Sequence, residues 1–567
     1  MKNIKYLFIV LGLVVATSCG DVLDTVAKDA FAEDLIYSDP DQLLGLLATS
    51  YNSTESWSIN KYEWWGRRFG YEGGSFEAKF NFQDKDLYGM RAGLTPSNAA
   101  IFQQKWANYW KYVRYTNEFL DRIDASPAMA NEPAITSIMK AEMQFLRANL
   151  YSKLIKHYGG VPIMENALGL EDNFDLPRNT YEECVAFIVK ELDEAAAALP
   201  ETRPDNEFGR ATKLSALAVK ARTLLYAASK LHDPAFAPSN DPLFTYSKSS
   251  KWQDAADAAK VIIDMVGERD LIATATAEEY QQMFLSPHQD ILFARPFGAE
   301  LYDFGDDPNS LWDKTQSPNG FDGWALSSPT LNFALEFNMT DGTTTNGGTY
   351  DATKPNDGRE MRYYANLIYN GCQFRGREIE YWLSDDVNAF PHGLDSPEGL
   401  GNNQHSSKTG YNIRKFQDES VDVNGGISAN RPYILYRLAE VYLNYAEAQY
   451  HLGNEADARK FVNKVSSRAL QPDVTASGTD LLEAIKRERR IELSFEGHNF
   501  FDERRWMQED HLGFDIKGHK WNKKADGTLD FVEYTVVTRP YFEKHYYLPI
   551  LQADIERAPA LQQNFGY

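Results

Sequence analysis

Cysteine is scarce in this sequence: Cys19, Cys184 and Cys372 are the only three among 567 residues. A disulfide framework is excluded, and whether Cys184 pairs with Cys372 is left open at this level. Beyond the first twenty residues there is no run of about 18 apolar residues, so no later segment is expected to span a bilayer. The ten histidines include no HExxH pair and no CxxC occurs, which removes the common zinc signatures. A GxSxG elbow, a Walker loop and a GxGxxG turn after a strand are all missing, so nucleotide chemistry is not expected. Neither a cofactor nor a metal is called for. Positive charge is also short, with 58 Lys and Arg against 81 Asp and Glu and a formal net charge of -23. An acidic body of this kind repels nucleic-acid phosphates and anionic head groups, so no nucleic-acid partner is expected. The same charge favours a neutral ligand over a strongly anionic one, unless a local basic groove overrides it.

What is present points to a large folded body, since 43% hydrophobic and 25% charged residues is ordinary for a globular chain. The first residues, MKNIKYLFIVLGLVVATSC, set Lys2 and Lys5 before a short apolar run and small residues. That is the anatomy of a signal peptide, because the run is too short to cross a membrane. Ala16-Thr17-Ser18-Cys19 reads as a lipobox, with Ala16 where Leu is usual. Cys19 is then the acylated first residue of the mature chain, held durably by several acyl chains.

Helical periodicity follows. The segment 39–51 opens with Asp39 and Pro40 and spaces Leu43, Leu46 and Leu47 helically. Helices are predicted over about 97–124 and 133–157, the second stopped by Gly159, Gly160 and Pro162, and these two should pair antiparallel. The clearest stripe is Leu214, Leu217, Ala218, Ala221, Leu225, Ala228 and Leu231, continued by Trp252, Ala255, Ala256, Ala259, Ile262, Ile263 and Val266. Around 436–472, Ala446, Gly453, Ala458 and Pro472 fall where a helix-turn-helix repeat of about 34 residues wants small, turn and stop residues. Paired helices that each need a neighbour to bury a face make a short solenoid. The expected fold is therefore mainly α: a tetratricopeptide-like helical-repeat scaffold with loop-rich inserted segments and a few short strands. Residues 1–18 form the signal peptide, 19–38 a lipidated tether, and 39–567 a single body. Within it, helix pairs occupy about 39–285 and 430–510, and loop-rich insertions about 57–96 and 285–430. The stretch 515–547 mixes strand-like aromatic runs with turns.

The insertions are rich in rings, in a chain with 11 Trp, 32 Tyr and 32 Phe. Trp57, Tyr62, Trp64, Trp65, Tyr71, Phe76, Phe80, Phe82 and Tyr88 lie in the first, and Tyr302, Phe304, Trp312, Phe321 and Trp324 in the second. Most single rings of this kind anchor loops to a body. Together, two such loops suit a binding face, because the C–H face of a sugar lies flat on an aromatic ring while nearby Asn, Asp, Arg or Gln take its hydroxyls. Asp303, Asp306, Asp307 and Asn309 form an oxygen-rich turn whose spacing does not match a full calcium loop, so it is read as solvated. Carboxylates are numerous enough to hide a glycosidase pair without a local signature. The run Arg487, Glu488, Arg489, Arg490, Glu492 and Glu496 is read as structural, with ion pairs at helical spacings and Trp506 capping the packing.

Several of these segments resemble one family, the SusD/RagB nutrient-binding lipoproteins of outer-membrane glycan uptake systems. CGDVLDTVAKDAF is similar to their CxDxLD opening, ATSYNS to their early helix, and FLRANLYSKLIKHYGGVPIM to their RAxxYFxLxxxYGxVPL stretch. AIKRERRIELSFEGHNFFDERRW resembles ERRxELxFEGxRxxDLRRW, and YYLPILQADIERAPALQQNFGY the closing PIPxxExxxNPxLxQNPGY. The departures are Asn499 for Arg, Leu551 for Pro and Phe565 for Pro. The resemblance implies four tetratricopeptide-like helix pairs and a non-catalytic site whose aromatic arc follows the curve of an oligosaccharide. It also implies a partner, a SusC-like TonB-dependent transporter, over which the lipid-anchored, surface-exposed protein sits like a lid. Trp324 matches the family's arc aromatic, with Tyr302 as companion, Trp312 and Phe321 beside them, and Trp64, Trp65 and Tyr88 placed by loop location. The expected function is non-enzymatic capture of an oligosaccharide or polysaccharide and its delivery to that transporter. The alternatives are a peptide-binding member of the same family and a surface glycoside hydrolase.

Overall fold

The computed structural model describes residues 33–54, 71–81, 100–296, 310–400, 403–424 and 431–567. Cys19, the signal peptide, most of the tether, Tyr302, Trp64, Trp65, Tyr88 and the acidic turn 303–309 lie outside the described residues.

The helical body begins with α1 (Pro40–Tyr51), whose start is fixed by Pro40 and by the Asp39 side chain accepting from Asp41 N. Next come α2 (Ala100–Ile123) and α3 (Pro133–Tyr158), which run antiparallel as expected. Lys140 meets Asp124 near one end and Trp106 meets Tyr158 near the other, ring centroids 4.8 Å apart. α3 stops at Gly159, in the left-handed region at φ 78°, where a Cβ would lie 2.7 Å from Leu243 O. α4 (Tyr181–Ala198) was not among the expected helices, although Thr180 and Glu183 form a capping box at its start. Its Glu191 receives Arg147 of α3 with both side chains buried. α5 (Lys213–Ala228) is buried on nearly every side, so the apolar stripe read from the sequence is only part of its buried surface. α6 (Lys251–Met265) packs on α5 and on α7 (Leu438–His451), where Trp252 stacks on His451 at 3.8 Å. α8 (Glu455–Ser466) closes against α7 through Phe461, between Tyr442 and Tyr445. α9 (Gly478–Glu492) and the short α10 (Asn499–Arg505) complete the body.

Strands are short and mostly paired two by two. β1 (Ala78–Phe80) pairs antiparallel with β3 (Ser327–Pro329), β2 (Ile291–Arg295) with β6 (Tyr433–Arg437), and β4 (Leu367–Tyr369) with β5 (Tyr411–Ile413). A longer hairpin, β7 (Phe514–Lys523) with β8 (Leu529–Arg539), fills the stretch expected to be strand-like. The loop-rich segment is not a mere decoration. It carries its own core, with Trp312, Phe333, Phe337, Tyr363, Tyr411 and Phe416 in one buried cluster. Cys184 and Cys372 are buried free thiols in different clusters, which settles the pairing question against a bridge.

The two cores meet at the motif around α9, and here the expectation of intrahelical ion pairs fails. Glu488 accepts from Arg362 at 2.5 and 3.0 Å, while Glu492 takes Arg437 at 2.6 Å, Arg362 at 3.2 Å, and Arg468. Glu496 binds Arg437 and Lys415, and Arg489 binds Asp502 and Asn444. Arg505 grips Glu447 at 2.6 and 2.8 Å, with Trp506 Nε1 donating to the same carboxylate. Burial disfavours the charge on Glu492, but Arg468, Arg437 and Arg362 outweigh it and hold the carboxyl well below its ordinary range. These partners come from distant segments because a fully buried charge needs several donors at once, more than one helix face supplies.

Glu492→Ala strands several buried guanidiniums and should cost roughly 3–5 kcal/mol in denaturant unfolding. Arg487→Ala, at a partly exposed side chain 3.6 Å from Glu336, should cost less than about 1 kcal/mol. Equal losses would refute this ranking. Burial raises the Glu447 carboxyl, yet Arg505 and Arg489 overcome it and leave it at about 2. A folded value below the unfolded one means stability present above the unfolded value, about 4.3 for Glu, and lost as pH falls towards the folded one. The melting temperature should therefore drop across that window, and Glu447→Gln should flatten the drop.

Candidate functional site

Trp324 sits on a turn that is tightly determined from below. A short helix, Ser310–Gln316, leads into it. Gly323 N and Phe321 N then bond Pro318 O, Trp324 N bonds Lys314 O at 2.9 Å, Ala325 N bonds Ser317 O, and Leu326 N bonds Thr315 O at 2.7 Å. Asp322 and Ala325 are in the left-handed region at φ 57° and 41°, a conformation that costs a non-glycine residue of order 1 kcal/mol or more. Gly323 has no freedom to change, because a Cβ there would fall 2.1 Å from Ser317 O. Strain held by many bonds is typical of a side chain kept in place for a purpose.

The surroundings of Trp324 come from four separated segments. Asn81, just past β1, donates through N to Leu326 O at 2.9 Å and through Nδ2 to Ser328 Oγ at 2.7 Å and to Ala325 O. Its Oδ1 is buried without a hydrogen-bond partner among the described residues, an acceptor of the kind water or a ligand hydroxyl satisfies. The loop 403–409 lies alongside: Lys408 N donates to Ser328 Oγ, and Thr409 Oγ1 to Pro329 O at 2.6 Å. It brings His405 to 6.1 Å from the Trp324 ring, at an interplanar angle of 39°. Burial lowers the His405 imidazole, helped by Lys314 and Lys408 and opposed by Asp322, so it is neutral at physiological pH. Lys314 Nζ ties Asp322 Oδ2 at 2.7 Å to Asn424 Oδ1 at 2.6 Å. Finally, Tyr534 of β8 reaches across to donate to Lys408 O at 2.6 Å.

The sequence-based assignments divide here. Trp324 is partly exposed and belongs to none of the core clusters. Trp312 is a correction: its ring is 6% exposed within the second core, edge-on to Phe416, so it has no open face for a ligand. Phe321 is a wall at best. The Arg377 guanidinium lies 4.0 Å over its ring, Phe374 stands edge-on at 5.5 Å, and Arg377 is itself clamped by Asp395 at 2.7 and 2.8 Å. Among the rings of the first loop, Phe76 stacks on His511 at 3.9 Å and Phe80 is 1% exposed, so both anchor the segment. Asn81, His405, Lys408 and Tyr534 were not foreseen. They carry no local motif, and only the pairing of β1 with β3 and the docking of loop 403–409 gather them.

The chemistry available is one partly open indole beside a neutral imidazole, rimmed by amide, hydroxyl and ammonium donors. That suits ring stacking with hydroxyl recognition.

Residues 291–567 match the model of the SusD family, and residues 47–225 match a related model described as starch-binding associating with outer membrane. A SusD-like protein of Formosa agariphila is 24% identical over 482 residues, covering 82% of this chain and 79% of its own length. A SusD-like protein of Bacteroides ovatus is 24% identical over 473 residues, covering 80% of this chain and 76% of its own. Among solved structures, a SusD-like protein from Bacteroides fragilis superposes with a TM-score of 0.78 at 25% identity, spanning 94% of this chain and 99% of that one. A SusD-like carbohydrate-binding protein of the same organism gives 0.74 at 24% identity, spanning 93% and 100%.

Gly323→Ala should force the turn apart, lowering stability by about 1–3 kcal/mol and speeding amide exchange across 317–326. Unaltered exchange there would show that the turn is not constrained as described.

Proposed function

The chain belongs to the SusD family, and from that premise we propose that it is a non-catalytic, lipid-anchored glycan-binding protein of the cell surface. It captures an oligosaccharide or polysaccharide and delivers it to a SusC-like TonB-dependent transporter in the outer membrane. The family is carbohydrate-binding, and one of its models carries the outer membrane in its description. The observation that carries the reading is Trp324, a partly exposed indole fixed on a strained, fully bonded turn among hydroxyl, amide and imidazole groups. An aromatic ring held without freedom to reorient loses little entropy when a sugar settles on it. Tyr302, Trp64, Trp65 and Tyr88 are proposed to extend the surface into an arc, with Phe321 as a side wall. The net charge of -23 leans towards a neutral glycan at long range, a preference that local charge at the site can reverse. Acylation at Cys19 is proposed to hold the body at the membrane.

Trp324→Ala should abolish retardation in native affinity electrophoresis on every glycan the wild type binds, with the melting curve retained because the ring lies outside the cores. Unchanged retardation removes Trp324 from the site, and retention of a peptide library in place of all glycans would favour the peptide alternative. Cys19→Ala should move the protein from the membrane to the soluble fraction; persistence in the membrane would refute the anchor.

A further inference from the structure

Resting on the glycan-binding reading, we propose that residues 71–81 form a proton-held latch for the Trp324 turn, closed by three buried carboxyls, Glu72, Glu77 and Glu503, so that affinity for the glycan falls as the pH rises. The latch and the turn are bonded directly. Ser327, at the start of β3 and just after Trp324, donates through Oγ to Glu72 Oε1 at 3.1 Å. Thr330 N donates to Glu77 O at 2.9 Å, and Thr330 Oγ1 to Phe76 O at 2.9 Å. Asn81, which donates to Leu326 O and Ser328 Oγ beside the indole, is joined to Glu77 through β1. Any opening of this segment therefore removes the backing of the turn.

The carboxyls that hold the segment are poorly matched by positive charge. Glu77 and Glu503 are 0% exposed and Glu72 6%. Glu77 accepts from Phe495 N at 3.0 Å and from Ser75 Oγ at 3.5 Å, so its donors, like the Ser327 hydroxyl on Glu72, are neutral. Of the three, only Glu503 forms an ion pair among the described residues, with Arg504 Nη1 at 2.9 Å; its other oxygen accepts from Phe76 N at 3.0 Å. The charged groups facing the cluster are Arg504 on α10, Arg539 at the end of β8, whose Nη1 donates to Ser75 O at 2.7 Å, and Lys415 after β5, held by Glu496 at 2.8 Å. His511 stacks on Phe76 at 3.9 Å and Arg490 stands 6.0 Å from the same ring. Burial pushes His511 down to about 2, so it stays neutral. At the far end of the segment Tyr71 meets His157 and Lys105, each at 3.0 Å. Burial raises all three carboxyls, Glu72 and Glu503 add to the rise at Glu77, and Glu503 is pushed up to about 7 despite Arg504. Folded values above the unfolded one, about 4.3 for Glu, mean that the closed segment binds more protons than the open one. Closure is then fully favoured below about 4.3 and weakens as the pH climbs through that of Glu503. This is the reverse of the Glu447 window, so the two effects separate.

The test combines amide hydrogen exchange with native affinity electrophoresis of the full-length protein in detergent, at about pH 5.5, 7 and 8.5 to bracket the window. The gels carry a panel of neutral polysaccharides that includes soluble starch, each read against a gel without polysaccharide. After correction for base-catalysed exchange, protection of the Phe76, Glu77 and Thr330 amides should fall roughly tenfold across the range while α4 holds, and retardation should weaken in step. Glu77→Gln, an uncharged isostere of the protonated carboxyl, should bind as wild type does at the acid end and lose the pH dependence of both readouts. Glu72→Gln should reduce that dependence in the same direction, and it decides the matter if Glu77→Gln does not fold. Retardation that is abolished by Trp324→Ala but level with pH would overturn the latch while sustaining the glycan reading. A pH dependence untouched by both glutamate changes, or a loss of protection shared equally by α4, would also overturn it. Retardation by none of the polysaccharides at any pH would overturn both.

Discussion

Everything in this protein hangs on a buried ion network that no single element can satisfy. Glu492 is fully buried and takes guanidiniums from β6, from the segment at Arg362 and from Arg468 after α8. Each charge would be untenable alone, because desolvation of a carboxylate or guanidinium costs several kcal/mol. The fold is therefore committed to bringing four stretches of chain together at one place. A second group, Arg489, Asp502, Arg505 and Glu447, ties α9 and α10 back to α7 in the same manner. Such networks add little net stability but tolerate few alternative arrangements, which gives the assembly its definition.

That junction is where the helical body meets the loop-rich segment. Segments without regular helix need an apolar core of their own to be fixed, and the cluster around Trp312, Phe333, Tyr363 and Phe416 supplies it. Once the loops are anchored, a turn can hold two non-glycine residues with left-handed backbone and still be defined. Trp324 is thus presented by structure that extends back through Ser317, Gln417 and the buried strands. Rigidity at the Trp324 turn and buried charge at α9 are two ends of one chain of constraints.

Charge works on two scales here. The excess of acidic residues acts at a distance, as a diffuse field that disfavours approach of polyanions. At the Trp324 turn charge is paired at short range, where Lys314 meets Asp322 at 2.7 Å. Composition reports the first scale, and only the folding of the turn reveals the second.

Much of the architecture was legible from residue order. The start of α1 at Asp39 and Pro40, the stop of α3 at Gly159 and the antiparallel run of α2 against α3 follow from caps, glycine and 3.6-residue spacing, which are local rules. α4 escaped attention despite its capping box, because its apolar positions are interleaved with acidic ones. The aromatic count misled at Trp312, since a ring in a polar stretch looks the same whether it anchors a loop or faces solvent. Ion pairing within α9 also misled, because burial recruits distant partners in place of exposed i and i+4 neighbours. The sequence by itself determined the helical scaffold and the family, since both are written in short-range spacing and motifs. Which rings stay partly open and which are sunk in a core was decided only by the tertiary structure, because exposure and proximity arise from segments hundreds of residues apart being forced together by the same buried charges.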